Sequence, residues 1–390
     1  MIGPFRVTGQ LMDLNRPTAY AAGDDTSSTG QLGVTGKRLC RTPQPILNIL
    51  EPIESISAGG LHSVFLTKKG VYTCGCNDQY ATGRDNVLQE KNEDEEDFID
   101  RKFEFDSTPT LVFPSEKGAK ITHIAAADGV TCYVVNKQLF LVGAFRDDSG
   151  NVQFNTQVEI QRTPYPIKIG ANEEPVADVK CGDNHVVVLT EDNKVYAFGD
   201  HTFYQTGYRT STRVPTGRWC TTDFPLISDI RLIAAGGSHS YFVKTNNDIY
   251  CCGLNGYGQL GRDANDPSIQ GLQKNASLTK DFKKLGTILQ IECANDNTLF
   301  LVQTAKGNKV FGIGKTKDGF LSKKGYTQSE YCCISPIEIP FPKKVEICSI
   351  SCGENVAAAV STAGDVYSWV FYINLGLNYK SCDRSRDRNR

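Results

Sequence analysis

The chain has 390 residues, a net charge of −2 and 39% apolar residues, the balance of an ordinary soluble protein. That total implies no large basic surface for nonspecific nucleic-acid binding. No apolar run reaches membrane-spanning length and no hydrophobic signal precedes a cleavage site, so neither a membrane partner nor entry into the secretory pathway is expected.

Residues 1–14 form an N-terminal segment. Ala19 to Gly33, AYAAGDDTSSTGQLG, then reads as a short strand ending in glycine, followed by a turn. From Ile56 a pattern begins and returns five times: ISAGGLHSVFLT, IAAADGVTCYVV from Ile124, VKCGDNHVVVLT from Val179, IAAGGSHSYFVK from Ile233, IECANDNTLFLV from Ile291 and ISCGENVAAAVS from Ile350. Taken at Gly59, Ala127, Gly182, Gly236, Ala294 and Gly353, the steps are 68, 55, 54, 58 and 59 residues. Such a period belongs to an array or a propeller.

Each opening is followed by a polar turn and a second apolar run: GVYTCG, QLFLVG, NKVYAFG, NDIYCCG, NKVFGIG and GDVYSWV. This is hairpin chemistry, with β-branched and aromatic strands. Val186 to Leu189 is apolar without alternation, which predicts a strand buried on both faces. Gly75, Gly143, Gly199, Gly253 and Gly314 close the second strands, where positive φ or close backbone approach is expected. Val370 stands at that place in the last copy. Six hairpins plus the leading Ala19–Gly33 half predict an all-β, seven-bladed β-propeller over residues 15–375. Its last blade is expected to be incomplete, with exposed strand edges and an ending that reflects a truncated or alternative product.

Between the first two copies, Gln89 to Asp106 lies in an acidic insertion over residues 86–107, read as a solvated loop or a dock for a basic partner. Residues 376–390 are a polar, disordered tail. The chain has 14 cysteines, many of them inside apolar runs, so reduced, buried thiols are expected. There is no Cys-x-x-Cys pair, no Gly-x-Ser-x-Gly elbow and no dinucleotide-binding glycine loop in strand–helix context. No metal, cofactor or covalent chemistry is implied.

The Gly-Gly-x-His-Ser openings, aromatic-Gly strand ends and Gly-Gln-Leu-Gly resemble the repeat of the regulator of chromosome condensation family. That family is a seven-bladed propeller whose founder is the guanine nucleotide exchange factor for the small GTPase Ran. The stretch GGLHSVFLTKKGVYTCGCNDQYATGRD (59–85) looks like its first full repeat. LFLVGAFRDDSGNV (139–152) looks like the hairpin that the family inserts into its GTPase as a wedge. The resemblance implies a Ran-like small GTPase as partner and a nuclear location, with the cytoplasm as the alternative because no basic N-terminal signal is seen.

It further implies Phe145, Arg146, Asp147, Asp148, Ser149, Gly150, Asn151 and Val152 as the wedge, with Phe145 as anchor. Read without the resemblance, RDDSG is a polar turn between strands. Asp128 matches an acidic position implicated in exchange. Asp183 and Asn184 stand where the family has Asn-Asp, in reversed order, so the acid has moved by one residue. His62 matches the first-opening histidine, and a buried imidazole bonded to a neighbouring blade is the competing reading. The fifth opening has Asn295-Asp296-Asn297 where the family carries histidine. The basic N-terminal tail that the family uses for import and DNA is missing, which weakens a histone or chromatin partnership. A propeller scaffold without exchange activity is the alternative.

Overall fold

The computed structural model describes residues 19–370 apart from 26, 85–93, 117, 148, 155–157, 171, 208–228, 317–320, 322–331 and 355. Within them, antiparallel hairpins form six blades. The first contains Ile53–Ala58, His62–Thr67, Gly70–Gly75 and Thr110–Pro114, and the second Ile121–Ala126, Val130–Val135, Gln138–Gly143 and Gln161–Ile167. The third has Val176–Cys181, His185–Thr190 and Val195–Gly199; the fourth has Ile230–Ala235, His239–Lys244, Ile249–Leu254 and Ser268–Lys274. The fifth has Thr287–Cys293, Asn297–Thr304, Gly307–Lys315 and Cys332–Ile339, and the sixth Ile347–Cys352, Val356–Ser361 and Val366–Val370.

Among the described residues there are six blades, not the expected seven. The strand Tyr20–Asp24 pairs with Leu39–Pro45 in a two-stranded sheet. Counting strand ends overcounts blades, because a blade also needs an opening hairpin to supply its two inner strands. This ribbon instead packs Cys40 and Ile46 onto Phe65 and Cys74 of the first blade.

Cores form between blades, which explains why central strands do not alternate. Val186, Val187 and Val188 are fully buried, the first and third against the second blade and the middle one against the fourth. The strand-end glycines have φ of 104° to 110°. A Cβ at Gly75 would also lie 2.6 Å from the His62 Cα, so both reasons expected for glycine apply.

The Gly-x-x-His spacing has a packing cause. His62 Nε2 meets Thr131 Oγ1 of the next blade at 2.8 Å. His185 meets Ser240 Oγ at 2.8 Å and His239 meets Thr298 Oγ1 at 3.1 Å in the same way. Each hydroxyl spends its own proton on a backbone carbonyl, at Ala81, Gln205 and Gln259 respectively. The imidazole is therefore the donor, protonated at Nε2. Its ring occupies the space above a glycine: a Cβ at Gly59, Gly182 or Gly236 would approach the histidine Cε1 to 2.5, 2.2 or 2.4 Å. Where the fourth position is Ala127 or Ala294, the partner position holds Val130 or Asn297 instead of histidine.

The acidic insertion departs from the loop reading. Glu95–Asp106 is a helix, N-capped by Asp94, whose carboxylate accepts from Asp97 N at 2.8 Å. It buries Phe103 and Asp106, with Arg38 4.6 Å over the Phe103 ring. Beneath it the buried Arg84 donates to the carbonyls of Thr73, Phe105 and Thr108. Acidic residues in the first turn suit the helix dipole, and one apolar anchor suffices to seat a charged segment. Every described cysteine is a free thiol, and no described helix is long and apolar enough to cross a membrane.

Candidate functional site

The six openings converge at one end of the ring around a central chamber of about 420 Å³. Backbone bonds tie neighbouring openings: Gly60 N to Ala127 O at 3.4 Å, Asp128 N to Asp183 O at 2.8 Å, Asp183 N to Gly237 O at 3.2 Å and Gly237 N to Ala294 O at 3.3 Å. The second glycine of each Gly-Gly pair makes room for a neighbour's carboxylate. A Cβ on Gly60 would come within 2.5 Å of Asp128 Oδ1, and one on Gly237 within 2.9 Å of Asp183 Oδ2.

Asp128, Asn184 and the hairpin between the third and fourth strands of the second blade are brought together. Asn184 Nδ2 donates to Asp128 Oδ2 at 3.5 Å, while its Oδ1 accepts from Arg146 N at 2.8 Å. Ala144 N donates to Gly129 O at 2.8 Å. The hairpin is thus launched directly from the Asp128 opening. Gln79, with its amide oxygen turned toward the guanidinium, accepts from Arg146. A Cβ at Gly129 would collide with this Gln79 and with Ala144 O.

The hairpin is built as a short ribbon. Phe145–Arg146 pairs with Val152–Gln153. Phe145 is 1% exposed, with its ring edge-on to Phe198 at 6.2 Å, which anchors the base. Asp147 organises the tip: its carboxylate accepts from Ser149 N and Asn151 N, both at 2.9 Å, and from Asn151 Nδ2 at 2.8 Å. Gly150 takes φ of 81° in open space. Ser149, Gly150 and Asn151 are exposed, and Val152 is half-buried. Asp148 lies outside the described residues.

The reversed order Asp183-Asn184 sorts the two residues by direction. Asn184 bridges Asp128 to the hairpin, whereas Asp183 lines the chamber. Burial, then the charges of Asp128 and Glu354, pushes the Asp183 carboxyl up to about 7. Asp128 is also raised, by burial and Glu354, with Arg146 and Asn184 opposing. Asp128 is more open to water, so its shift is the more screened.

A group raised in the folded state opposes folding fully above its folded pKa, and not at all below its unfolded one. Asp183→Asn should therefore raise stability at pH 8 by ~2 kcal/mol, and urea unfolding should show that gain vanish near pH 4.

His62 is 1% exposed and engaged with Thr131, so the interblade reading describes its place and it presents no surface to a partner. At the fifth opening, Asn297 Nδ2 bonds Lys315 O at 2.9 Å within its own blade. The sequence reading missed Gln79 and Glu354. Glu354 was visible in the opening ISCGEN, but its convergence with Asp128 needs the six openings gathered around one chamber. Gln79 carried no signal, because only the fold brings it to Arg146.

The RCC1-like domain family matches residues 18–381. The chain belongs to that family. It is 27% identical over 345 residues to the guanine nucleotide exchange factor SRM1 of Saccharomyces cerevisiae, covering 82% of this chain and 70% of that protein. It is 27% identical over 370 residues to the regulator of chromosome condensation of Xenopus laevis, covering 89% and 78%. The crystal structure of Prp20p from S. cerevisiae, a protein described with its binding to Gsp1p and histones, superimposes with a TM-score of 0.72 at 21% identity, over 91% of this chain and 81% of that one. At that identity the last likeness concerns the fold.

Proposed function

We propose that this RCC1-like chain is a guanine nucleotide exchange factor for a Ran-like small GTPase, nuclear in location. One observation supports this reading: the bonded path Asp128–Asn184–Arg146 joins an acid of the chamber rim to the base of a hairpin that exposes Ser149, Gly150 and Asn151. The similarity to an exchange factor and to regulators of chromosome condensation supports it.

Exchange needs no covalent step. A GTPase holds its nucleotide through a phosphate-binding loop and Mg²⁺, and a partner expels it only by binding the nucleotide-free form better. A hairpin held at Phe145 and stiffened by Asp147 can enter the phosphate site at little entropic cost. Its tip and Asp128 place negative charge where phosphate was, so GDP and hairpin exclude one another. Asp183, near neutrality in its titration, adds to that field.

The scaffold alternative rests on Asn297, which stands in place of a fifth-opening histidine and turns its side chain into its own blade. The two readings separate in a binding measurement. Exchange requires the full chain to bind nucleotide-free GTPase at least about a hundredfold more tightly than the GDP-loaded form; equal affinities would leave only a scaffold.

Asp128→Ala should slow exchange by at least about tenfold. His239→Ala, which removes an interblade bond 0% exposed, should lower the melting temperature and leave exchange nearly unchanged while folded. Rates measured below both melting transitions, with equal losses in the two variants, would remove the assignment of Asp128.

A further inference from the structure

Two thiols meet where the second blade packs on the third. Cys132, on the second strand of the second blade, and Cys181, at the end of the first strand of the third, hold their sulfurs 3.5 Å apart. Both are free thiols. The same interblade place elsewhere holds Val64 with Ala126, Val187 with Ala235, Tyr241 with Cys293 and Leu299 with Cys352. Packing there is satisfied by one sulfur or none. Among the described blade pairs, only the second and third carry sulfur on both sides.

The two sulfurs differ in access. Cys132 is 0% exposed. Burial, then the bond with Cys181, pushes its thiol well up, so it is not the group that reacts first. Cys181 is half-buried and lines the chamber, together with Asp128, Asp183 and Glu354. Those carboxylates oppose entry of an anionic reagent such as glutathione disulfide. A small uncharged oxidant meets no such barrier.

We propose that Cys132 and Cys181 are a peroxide-sensitive pair that closes into a disulfide and staples the second blade to the third. The Cys181 thiolate attacks one oxygen of hydrogen peroxide and the O–O bond breaks. Cys181 becomes a sulfenic acid, and the hydroxide released takes up the thiol proton as water. The Cys132 sulfur then displaces the sulfenic hydroxyl. The S–S bond forms, and the Cys132 proton leaves with that hydroxyl as a second water. Both sulfurs are oxidised and the peroxide is reduced. Closure brings the sulfurs from 3.5 Å to about 2.0 Å, and their adjacency makes the second step intramolecular. The staple directly precedes Gly182 and Asp183 and shares its core with Phe145. It therefore ties the Asp183–Asn184 opening to the blade that carries the hairpin.

The test treats the native full chain with limited hydrogen peroxide, then maps its fragments without reduction. A linked fragment holding Cys132 and Cys181 is expected, with a melting temperature raised by several degrees and returned by dithiothreitol. Two variants borrow residues found at this place in other blades, which keeps the packing. Cys132→Val should leave Cys181 as a sulfenic acid captured by dimedone. Cys181→Ala should give no link and no dimedone tag on Cys132. The urea-unfolded chain, oxidised in the same way, should give scrambled links. Other thiols oxidising while this link is absent would overturn the proposal. So would the same scrambled links in the native chain, a dimedone tag on Cys132 in the Cys181→Ala chain, or a linked chain that melts lower than the reduced one.

Discussion

Replacing Asp147–Gly150 with a Gly-Ser turn is expected to bring stimulated GDP release down to background, a loss of about a hundredfold or more. The tip depends on one side chain. Asp147 holds Ser149, Asn151 and its own turn through three bonds, and removing them leaves the short ribbon to fray. The fold should survive, because the anchor Phe145 lies in the core between the second and third blades and the replaced residues are outside it. An unchanged melting temperature with lost exchange is the expected pair of results. Retained exchange would return the tip to an ordinary polar turn.

Mild acid should destabilise the chain steeply, a second large effect. His62 is held down to about 4, and His185 and His239 to about 3, all by burial. The tautomer supplies the reason in bonds. Nε2 already donates to a neighbouring hydroxyl, and Nδ1 has no partner, so a second proton would sit unsolvated over glycine.

These groups bind protons more readily unfolded than folded. Their contribution is complete above about pH 6.5 and is lost as pH falls from there toward 4. Each should remove about 1.4 kcal/mol per pH unit in that window. Asp183, raised to about 7, works in the opposite direction by about the same slope. Asp106, Asp128 and Glu292, also raised by burial, oppose the histidines in the same way. Urea unfolding at a series of pH values, compared between the chain and a variant with His62, His185 and His239 replaced by Gln, isolates the histidine part; identical profiles between pH 6.5 and 5 would contradict the neutral interblade histidines.

How much of this could be read beforehand varied by residue. The hairpin period, the glycine ends and the buried Val186–Leu189 strand are local properties, written in spacing and residue type. The blade count was misread because Ala19–Gly33 looks like the end of a blade, and only pairing shows that among the described residues it joins Leu39–Pro45 alone. The helix Glu95–Asp106 was misread as a loop because charge outweighs its few apolar residues; Arg38 over its Phe103 and the buried Arg84 beneath it seat it from outside the segment. His62 carried two readings with one motif, and the choice required seeing Thr131 from the next blade. Asp183 and Asn184 were adjacent candidates whose different directions follow from the bonds between neighbouring openings, which no spacing encodes.

The most direct measurement is release of fluorescent GDP from a purified Ran-like GTPase, with the full chain added in catalytic amounts and unlabelled nucleotide in excess. Release accelerated in proportion to added chain, with each chain acting on many GTPase molecules, is the expected result. Release at the intrinsic rate, under conditions where the two proteins form a complex, would contradict exchange and leave a propeller that binds without expelling the nucleotide.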